Sequence, residues 1–183
     1  MLTFTARECV IRRVPDEFIR QWGDPALYEQ AETIASFDDL LRARAAQLCR
    51  TLEFADGAGL AATQVGWLRR VFAFRVSPED QAEALVNPEI IWRSNQIETF
   101  LEGCLSFNTV AVGVRRPSAV RVSGFDVYGN PKQFECEGFA ASLMQHEIDH
   151  LDGILTLHRA DRLERRRAMT VLRSHPLEGG LAA

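Results

Sequence analysis

The residues best suited to chemistry lie in the stretch QHEIDH at 145–150, where two histidines stand four positions apart with a glutamate after the first. Successive helical residues rotate by roughly 100°, so His146 and His150 lie on nearly the same face of a helix and can converge on one ion. Glu147 projects to one side, where it can act as a general base without ligating the ion. The pattern predicts a metal hydrolase site. The competing interpretation is two hydrogen-bonded histidines that merely share a helix.

A catalytic metal site also needs a third protein ligand, for which the sequence offers three kinds of candidate. The HExxHxxGxxH pattern of the metzincins fails, because its last position holds Thr156 and His158 comes two residues late. A glutamate from a following helix is disfavoured, since only Glu164 and Glu178 remain downstream. Cys104 is the third option, because a thiolate is a stronger soft ligand than either carboxylate.

The elements that must position these residues are predicted from the spacing of apolar side chains. A helix is expected to begin with Ser36 as its cap and to end before Gly57, and further helices are expected at 139–151 and 161–173. Strands are expected at 70–76 and 84–91, with a short one at 154–157 and a hairpin within 118–139 that turns at 128–131. This order favours an α+β fold of mostly antiparallel sheets around a central metal-binding helix, with an N-terminal and a C-terminal helix.

Length, net charge and the distribution of apolar residues limit the classes of protein to which this chain can belong. The length of 183 residues predicts a single domain spanning 1–183, with a flexible tail at 175–183. A formal net charge of −4 disfavours DNA binding, and no stretch resembles a signal peptide or a membrane span. We therefore expect a cytoplasmic protein that does not bind membranes, in which all four cysteines are reduced.

Three stretches together carry a resemblance to a known family. GAGLAATQVG at 57–66, EGCLS at 102–106 and QHEIDHLDG at 145–153 resemble the three signature motifs of the peptide deformylases, in that family's order and spacing. The resemblance implies that Cys104, His146 and His150 bind one divalent ion. Iron(II) is the family's usual native metal, with zinc, nickel or cobalt as substitutes.

The resemblance also implies roles for residues around the ion. Glu147 would be the general base, with the Gln64 side chain and the Leu105 N–H stabilising the oxyanion. The substrate would be held along Gly57, Gly59 and Leu60, where glycine lets the backbone approach an extended peptide.

Two acidic residues beside the ligands have two competing interpretations. Glu102 and Asp149 are either solvated surface charges or carboxylates that orient the histidines, with Arg115 and Arg116 as candidate partners. One loop departs from the family pattern: Asn108 replaces a common proline, and 109–113 carry no arginine. This difference bears on substrate preference, because the loop borders the cleft in the family.

The function implied by the resemblance is removal of the formyl group from nascent polypeptides that begin with formyl-methionine. The alternatives are a related amidase for another N-formyl compound, a non-catalytic binding protein on the same scaffold, and a zincin-type endopeptidase. An Arg-rich stretch at 158–173, which includes the last predicted helix, is typical of either a solvated helix face or a surface that contacts the ribosome. That stretch contains Arg159, Arg162, Arg165, Arg166, Arg167 and Arg173.

Overall fold

A computed structural model describes residues 18–107 and 109–174. Its helices are α1 (Asp39–Phe54), α2 (Gly138–Leu151), α3 (Thr156–Arg159) and α4 (Arg162–Ser174), with 3-10 turns at Pro25–Tyr28 and Ala62–Val65. Its strands are β1 (Gly59–Ala61), β2 (Val71–Phe74), β3 (Glu83–Arg93), β4 (Ile97–Glu102), β5 (Val112–Pro117), β6 (Ala119–Phe125) and β7 (Pro131–Glu137).

The described strands form two antiparallel sheets. Five strands pair in the order β1-β2-β3-β6-β7, and β4 pairs with β5 separately. The β6–β7 hairpin leads directly into α2, so the sheet fixes where that helix begins. The expected α+β architecture with antiparallel sheets is confirmed.

Helices α1 and α2 cover opposite faces of the larger sheet. On β2, Phe72 and Phe74 pack with the residues of α2, whereas Val71 and Ala73 pack with those of α1. All four side chains of β2 are buried, as expected for a strand covered on both sides. A third apolar cluster joins β5 to α3 and α4, and it includes Cys104 and Phe107.

Two local expectations were wrong. The cap of α1 is Asp38, not Ser36, because the Asp38 carboxylate accepts a hydrogen bond from the Leu41 N–H at 2.9 Å. The stretch 154–157 forms no strand. It runs instead into the single turn of α3, with Leu155 and Thr156 buried.

Other expectations agree with the structure or fall outside it. The predicted helices at 139–151 and 161–173 correspond to α2 and α4, and the predicted hairpin is β6–β7. Cys49, Cys104 and Cys136 are free thiols, while Cys9, Asn108 and the predicted tail at 175–183 lie outside the described residues. None of the helices within 18–107 and 109–174 combines the length and the apolar character needed to cross a bilayer.

Candidate metal centre

Helix α2 presents both histidines to the interior. Every side chain from Ala141 to Leu151 on this helix is buried, including the polar ones. The helix ends where Gly153 adopts a φ of +71°, and a Cβ at Gly153 would lie 2.5 Å from the carbonyl oxygen of Tyr28. The two imidazole rings are 4.8 Å apart between centroids, as their spacing of one helical turn predicts.

Cys104 completes a cluster with these histidines. It follows β4 and is 8% exposed, and its Sγ lies 3.2 Å from Nε2 of His150. The potential ligand atoms of Cys104, His146 and His150 all lie within 4.8 Å of one another, and no other such group occurs among the described residues. The structure thus selects Cys104 over Glu164 and His158 as the third member of the cluster.

This donor set fits a divalent ion. One thiol and two imidazoles are the ligands that zinc and iron(II) accept, and the three donors leave a further position open. Nδ1 of His150 is buried without a hydrogen-bond partner among the described residues. Burial lowers the pKa of His150 well below its ordinary value, with His146 acting in the same direction, and a neutral ring is the form that ligates metals.

His146 is oriented by a buried network of charges. Its Nδ1 lies 3.0 Å from Oε2 of Glu102, which also receives two hydrogen bonds from Arg116 at 2.5 and 2.9 Å. Arg116 donates a third hydrogen bond to Asp149 at 2.8 Å, and Arg159 of α3 donates two more to the same carboxylate. Glu102 and Asp149 are each 6% exposed, so the interpretation as solvated surface charges was wrong.

The network decides between the two arginines that the sequence offered as partners. The side chains of strand β5 alternate in burial: Val112, Val114 and Arg116 are buried, whereas Arg115 is exposed. This alternation was visible in the sequence as a period of two and could have selected Arg116. Ser142, whose Oγ donates to Glu102 at 2.8 Å, and Arg159 were not predicted. No sequence signal marks them, because their contacts with Glu102 and Asp149 depend on how the elements pack together.

Glu147 lies beside the cluster and is buried. It is 2% exposed, and its Oε2 has no hydrogen-bond partner in the described part of the chain. Burial raises the pKa of Glu147 to about 7, while the charge of His146 opposes that shift. A carboxyl group with a pKa near neutrality can both accept and return a proton.

Gln64 and the EGCLS loop meet at the cysteine. The Oε1 of Gln64 accepts from the Ala61 N–H at 2.8 Å, which fixes the orientation of the side-chain amide. Its Nε2 then lies 3.0 Å from Oγ of Ser106 and 3.6 Å from Sγ of Cys104. The amide donor therefore points at the same space as the cluster.

A short segment at residues 20–22, which the sequence analysis missed, ties these two loops together. The Arg20 N–H donates to the Gln64 carbonyl at 2.6 Å, and the Trp22 N–H donates to the Ser106 carbonyl at 2.8 Å. The Gln21 side chain donates to the Leu105 carbonyl at 3.3 Å. Backbone pairing of this kind leaves no pattern in the sequence.

The glycines of the first motif border the same site. A Cβ at Gly57 would lie 2.9 Å from Cδ1 of Leu105. A Cβ at Gly59 would lie 2.8 Å from Leu143 and would overlap the carboxylate of Glu147. Leu60 follows on β1 and is buried in the cluster under α1. The structure thus places the predicted metal ligands, the predicted base Glu147, the Gln64 side-chain amide and the backbone of Gly57 and Gly59 around one site.

Comparison with known proteins gives a consistent result. The profile described as "Polypeptide deformylase" matches residues 17–166. The chain is 42% identical over 160 residues to "Peptide deformylase 1" of Corynebacterium glutamicum, covering 85% of this chain and 94% of that protein. A peptide deformylase from Synechococcus elongatus, solved in complex with actinonin, superposes with a TM-score of 0.82 at 36% identity, covering 86% of this chain and 88% of that one. The peptide deformylase of Thermotoga maritima gives a TM-score of 0.75 at 36% identity, with 79% and 97% covered.

Proposed function

Because the chain belongs to the peptide deformylase family, we propose that it hydrolyses the N-terminal formyl group of nascent polypeptides beginning with formyl-methionine, releasing formate. The observation that carries this proposal is the convergence of Cys104, His146 and His150 within 4.8 Å, next to a buried Glu147 with a pKa of about 7. Formyl transfer to water requires an activated nucleophile, a base and an oxyanion site, and this cluster has a candidate for each.

Cys104, His146 and His150 are the proposed ligands of one divalent ion, which makes α2 the central metal-binding helix of the fold. A bound ion would act as a Lewis acid and make water nucleophilic at neutral pH. Iron(II) is the proposed native metal, and zinc, nickel and cobalt suit the same donors. The His146 ring donates from Nδ1 to the Glu102 carboxylate, which leaves Nε2 of His146 as the atom that would ligate the ion.

Glu147 is the proposed general base. It takes the proton of the attacking water and returns it to the leaving amine, as its buried position and raised pKa allow. The Gln64 amide and the Leu105 N–H are the proposed donors to the negative charge that develops on the formyl oxygen. Because the Ala61 N–H donates to Oε1 of Gln64, the side-chain amide is already oriented and does not have to reorganise during the reaction.

Strand β1 is the proposed substrate edge. It lies at the end of the five-stranded sheet, where an extended peptide can add as a further strand. Gly57, Gly59 and Leu60 would line this peptide, and Gly59 brings its backbone directly over Glu147. The formyl end of the peptide is thereby delivered to the base and the metal ligands.

We further propose that the enzyme acts in the cytoplasm as a single domain and meets its substrates at the ribosome through α4. Arg162, Arg166, Arg167 and Arg173 are exposed on this helix. Arg159 and Arg165 are already engaged within the protein: Arg159 binds Asp149, and Arg165, although exposed, donates to the carbonyls of Leu157 and His158. The candidate contact surface is therefore smaller than the Arg-rich stretch suggests.

The test is anaerobic purification, metal analysis and measurement of formate released from formyl-Met-Ala-Ser. We expect about one divalent ion per chain and turnover that depends on it. A preference for other formyl amines over the formyl-methionyl peptide would favour the alternative amidase. Metal-free protein without turnover would favour the binding-protein alternative, and internal peptide cleavage would favour an endopeptidase.

A further inference from the structure

Arg75, directly after β2, hydrogen-bonds to the short turn of residues 56–58 and to Pro78. Its side chain is 9% exposed, and its guanidinium donates to the Gly57 carbonyl at 2.8 Å and to Oδ1 of Asp56 at 2.7 Å. A third hydrogen bond, at 2.9 Å, reaches the Pro78 carbonyl. The backbone N–H of Arg75 donates to the Ala58 carbonyl at 2.8 Å.

These contacts fix the turn of residues 56–58, which links α1 to β1. Asp56 has a φ of +52°, a conformation that L-residues rarely adopt and that needs support from its surroundings. The pairing of Gly59 with Phe74 is the last rung between β1 and β2, and the bond from Arg75 to Ala58 lies immediately beyond it. Arg75 therefore holds the turn both through its backbone and through its side chain.

The turn has almost no room to move at the candidate site. Gly57 lies against Leu105, and Gly59 lies against Glu147 and Leu143, closely enough that even one added carbon would collide. A displacement of a few tenths of an ångström at residues 56–58 would therefore alter the spacing between β1 and the groups proposed to carry out the reaction.

We propose that Arg75 is a positioning residue that sets the height and register of the β1 edge, and so determines how well extended formyl-peptides bind compared with minimal formyl-amino acid derivatives. This inference rests on the proposed function, and it deepens the assignment of β1 as the substrate edge. Arg75 reaches three separate acceptors because the guanidinium is a planar fork with donors in different directions, which a lysine ammonium on a flexible stem cannot reproduce.

The experiment compares two substrates across matched variants. Formyl-methionine amide ends at the first residue and pairs little with β1, whereas formyl-Met-Ala-Ser extends along the strand. The variants are Arg75→Met, Arg75→Lys and Asp56→Asn. Asp56 is 87% exposed and asparagine tolerates its positive φ, so Asp56→Asn carries the test if Arg75→Met does not fold.

Arg121→Met is the control, because Arg121 also pairs with a carboxylate, Glu135, on the same sheet but away from β1. For Arg75→Met we expect kcat/KM on the tripeptide to fall about tenfold, mainly through KM, and kcat/KM on the amide to fall by less than about threefold. The kcat/KM of Arg75→Lys on the tripeptide should lie between the values for Arg75→Met and the parent. Asp56→Asn should lose less kcat/KM on the tripeptide than Arg75→Met does. The control should leave the ratio of kcat/KM on the tripeptide to kcat/KM on the amide unchanged.

Hydrogen exchange supplies a readout that does not depend on turnover. In the substrate-free protein, the amides at 57–61 should exchange about tenfold faster in Arg75→Met than in the parent and the control. Equal losses on both substrates, or unchanged exchange at 57–61, would overturn the positioning role. If the parent hydrolyses neither substrate, the proposed function fails, and the exchange experiment alone decides whether Arg75 holds the turn.

Discussion

Replacing Arg116 by methionine should destabilise the protein more than any exposed arginine substitution. Arg116 is 4% exposed and makes three short hydrogen bonds, two to Glu102 and one to Asp149. Methionine fills much of the same volume but leaves both carboxylates buried without their shared cation. Asp149 keeps Arg159, whereas Glu102 keeps Ser142 and His146 as its partners among residues 18–107 and 109–174.

The size of the effect follows from the burial of these charges. Removing one partner from a buried ion pair costs about 3 to 5 kcal/mol, because an uncompensated charge stays in the interior. For a protein of this size that corresponds to a fall in Tm of roughly 6 to 20 °C. Arg116→Lys should retain part of the stability, since an ammonium keeps the charge but not the paired geometry on Glu102.

The pH dependence gives a second measure of the same network. Burial alone would raise the pKa of Glu102, but its hydrogen bonds from Arg116 and His146 outweigh burial and lower the pKa from 4.5 to about 2. A lowered pKa contributes stability that is complete above about pH 4.5 and is lost as the pH falls towards 2. The shift corresponds to a few kcal/mol, on the order of 3. The stability difference between parent and Arg116→Met should therefore narrow over this range.

The assay is urea denaturation of parent and variants in the same metal-loaded state at pH 7, repeated at lower pH. Competition with a chelator should also show metal affinity about 10- to 100-fold weaker in Arg116→Met, because Glu102 no longer holds the His146 ring as firmly. Arg115→Met is the matched control, since this neighbour is exposed. A loss below about 1 kcal/mol for Arg116→Met, equal to that of the control, would refute the reasoning.

Four further predictions address the site and its surroundings. Glu147→Gln should lower kcat by about 10²-fold or more while metal content stays at one ion, because the base is lost and no ligand is removed; substantial remaining activity would assign the base elsewhere. Cys104→Ser should release the metal more readily in chelator competition, because an alcohol is a poorer anionic ligand than a thiol; unchanged retention would exclude Cys104 as a ligand. Gly59→Ala should lower kcat about 10²-fold and cost about 1 to 3 kcal/mol by urea denaturation, because its Cβ displaces the buried Glu147 carboxylate; parent-like kcat would show that the carboxylate can move without consequence. A triple charge-reversal variant should co-sediment less with ribosomes at low salt and show a shallower salt dependence, while its hydrolysis of the tripeptide stays unchanged. Equal co-sedimentation of parent and variant would mean that these arginines form only a solvated helix face. The three substitutions are Arg162→Glu, Arg166→Glu and Arg167→Glu.

The sequence determined the parts of the site that depend on local geometry. The spacing of His146 and His150 places them on one helical face, and the structure shows both rings facing the same buried space on α2. The three motifs identified the family, which the comparisons confirm. The hairpin β6–β7 and the helices α2 and α4 were also predictable, because periodicity and turn residues act over a few neighbouring positions.

The tertiary structure decided which distant groups meet. Cys104 reaches His150 across 46 positions of the chain, and Gln21 reaches Leu105 across 84. The sequence left Glu102 and Asp149 undecided between solvated charges and buried partners, and only the packing of α2 against β4 and β5 buried them around Arg116. A sequence pattern reports which side chains share a face of one element. Which faces come together, and which charges then lose their water and need partners, is determined by the packing of the whole chain.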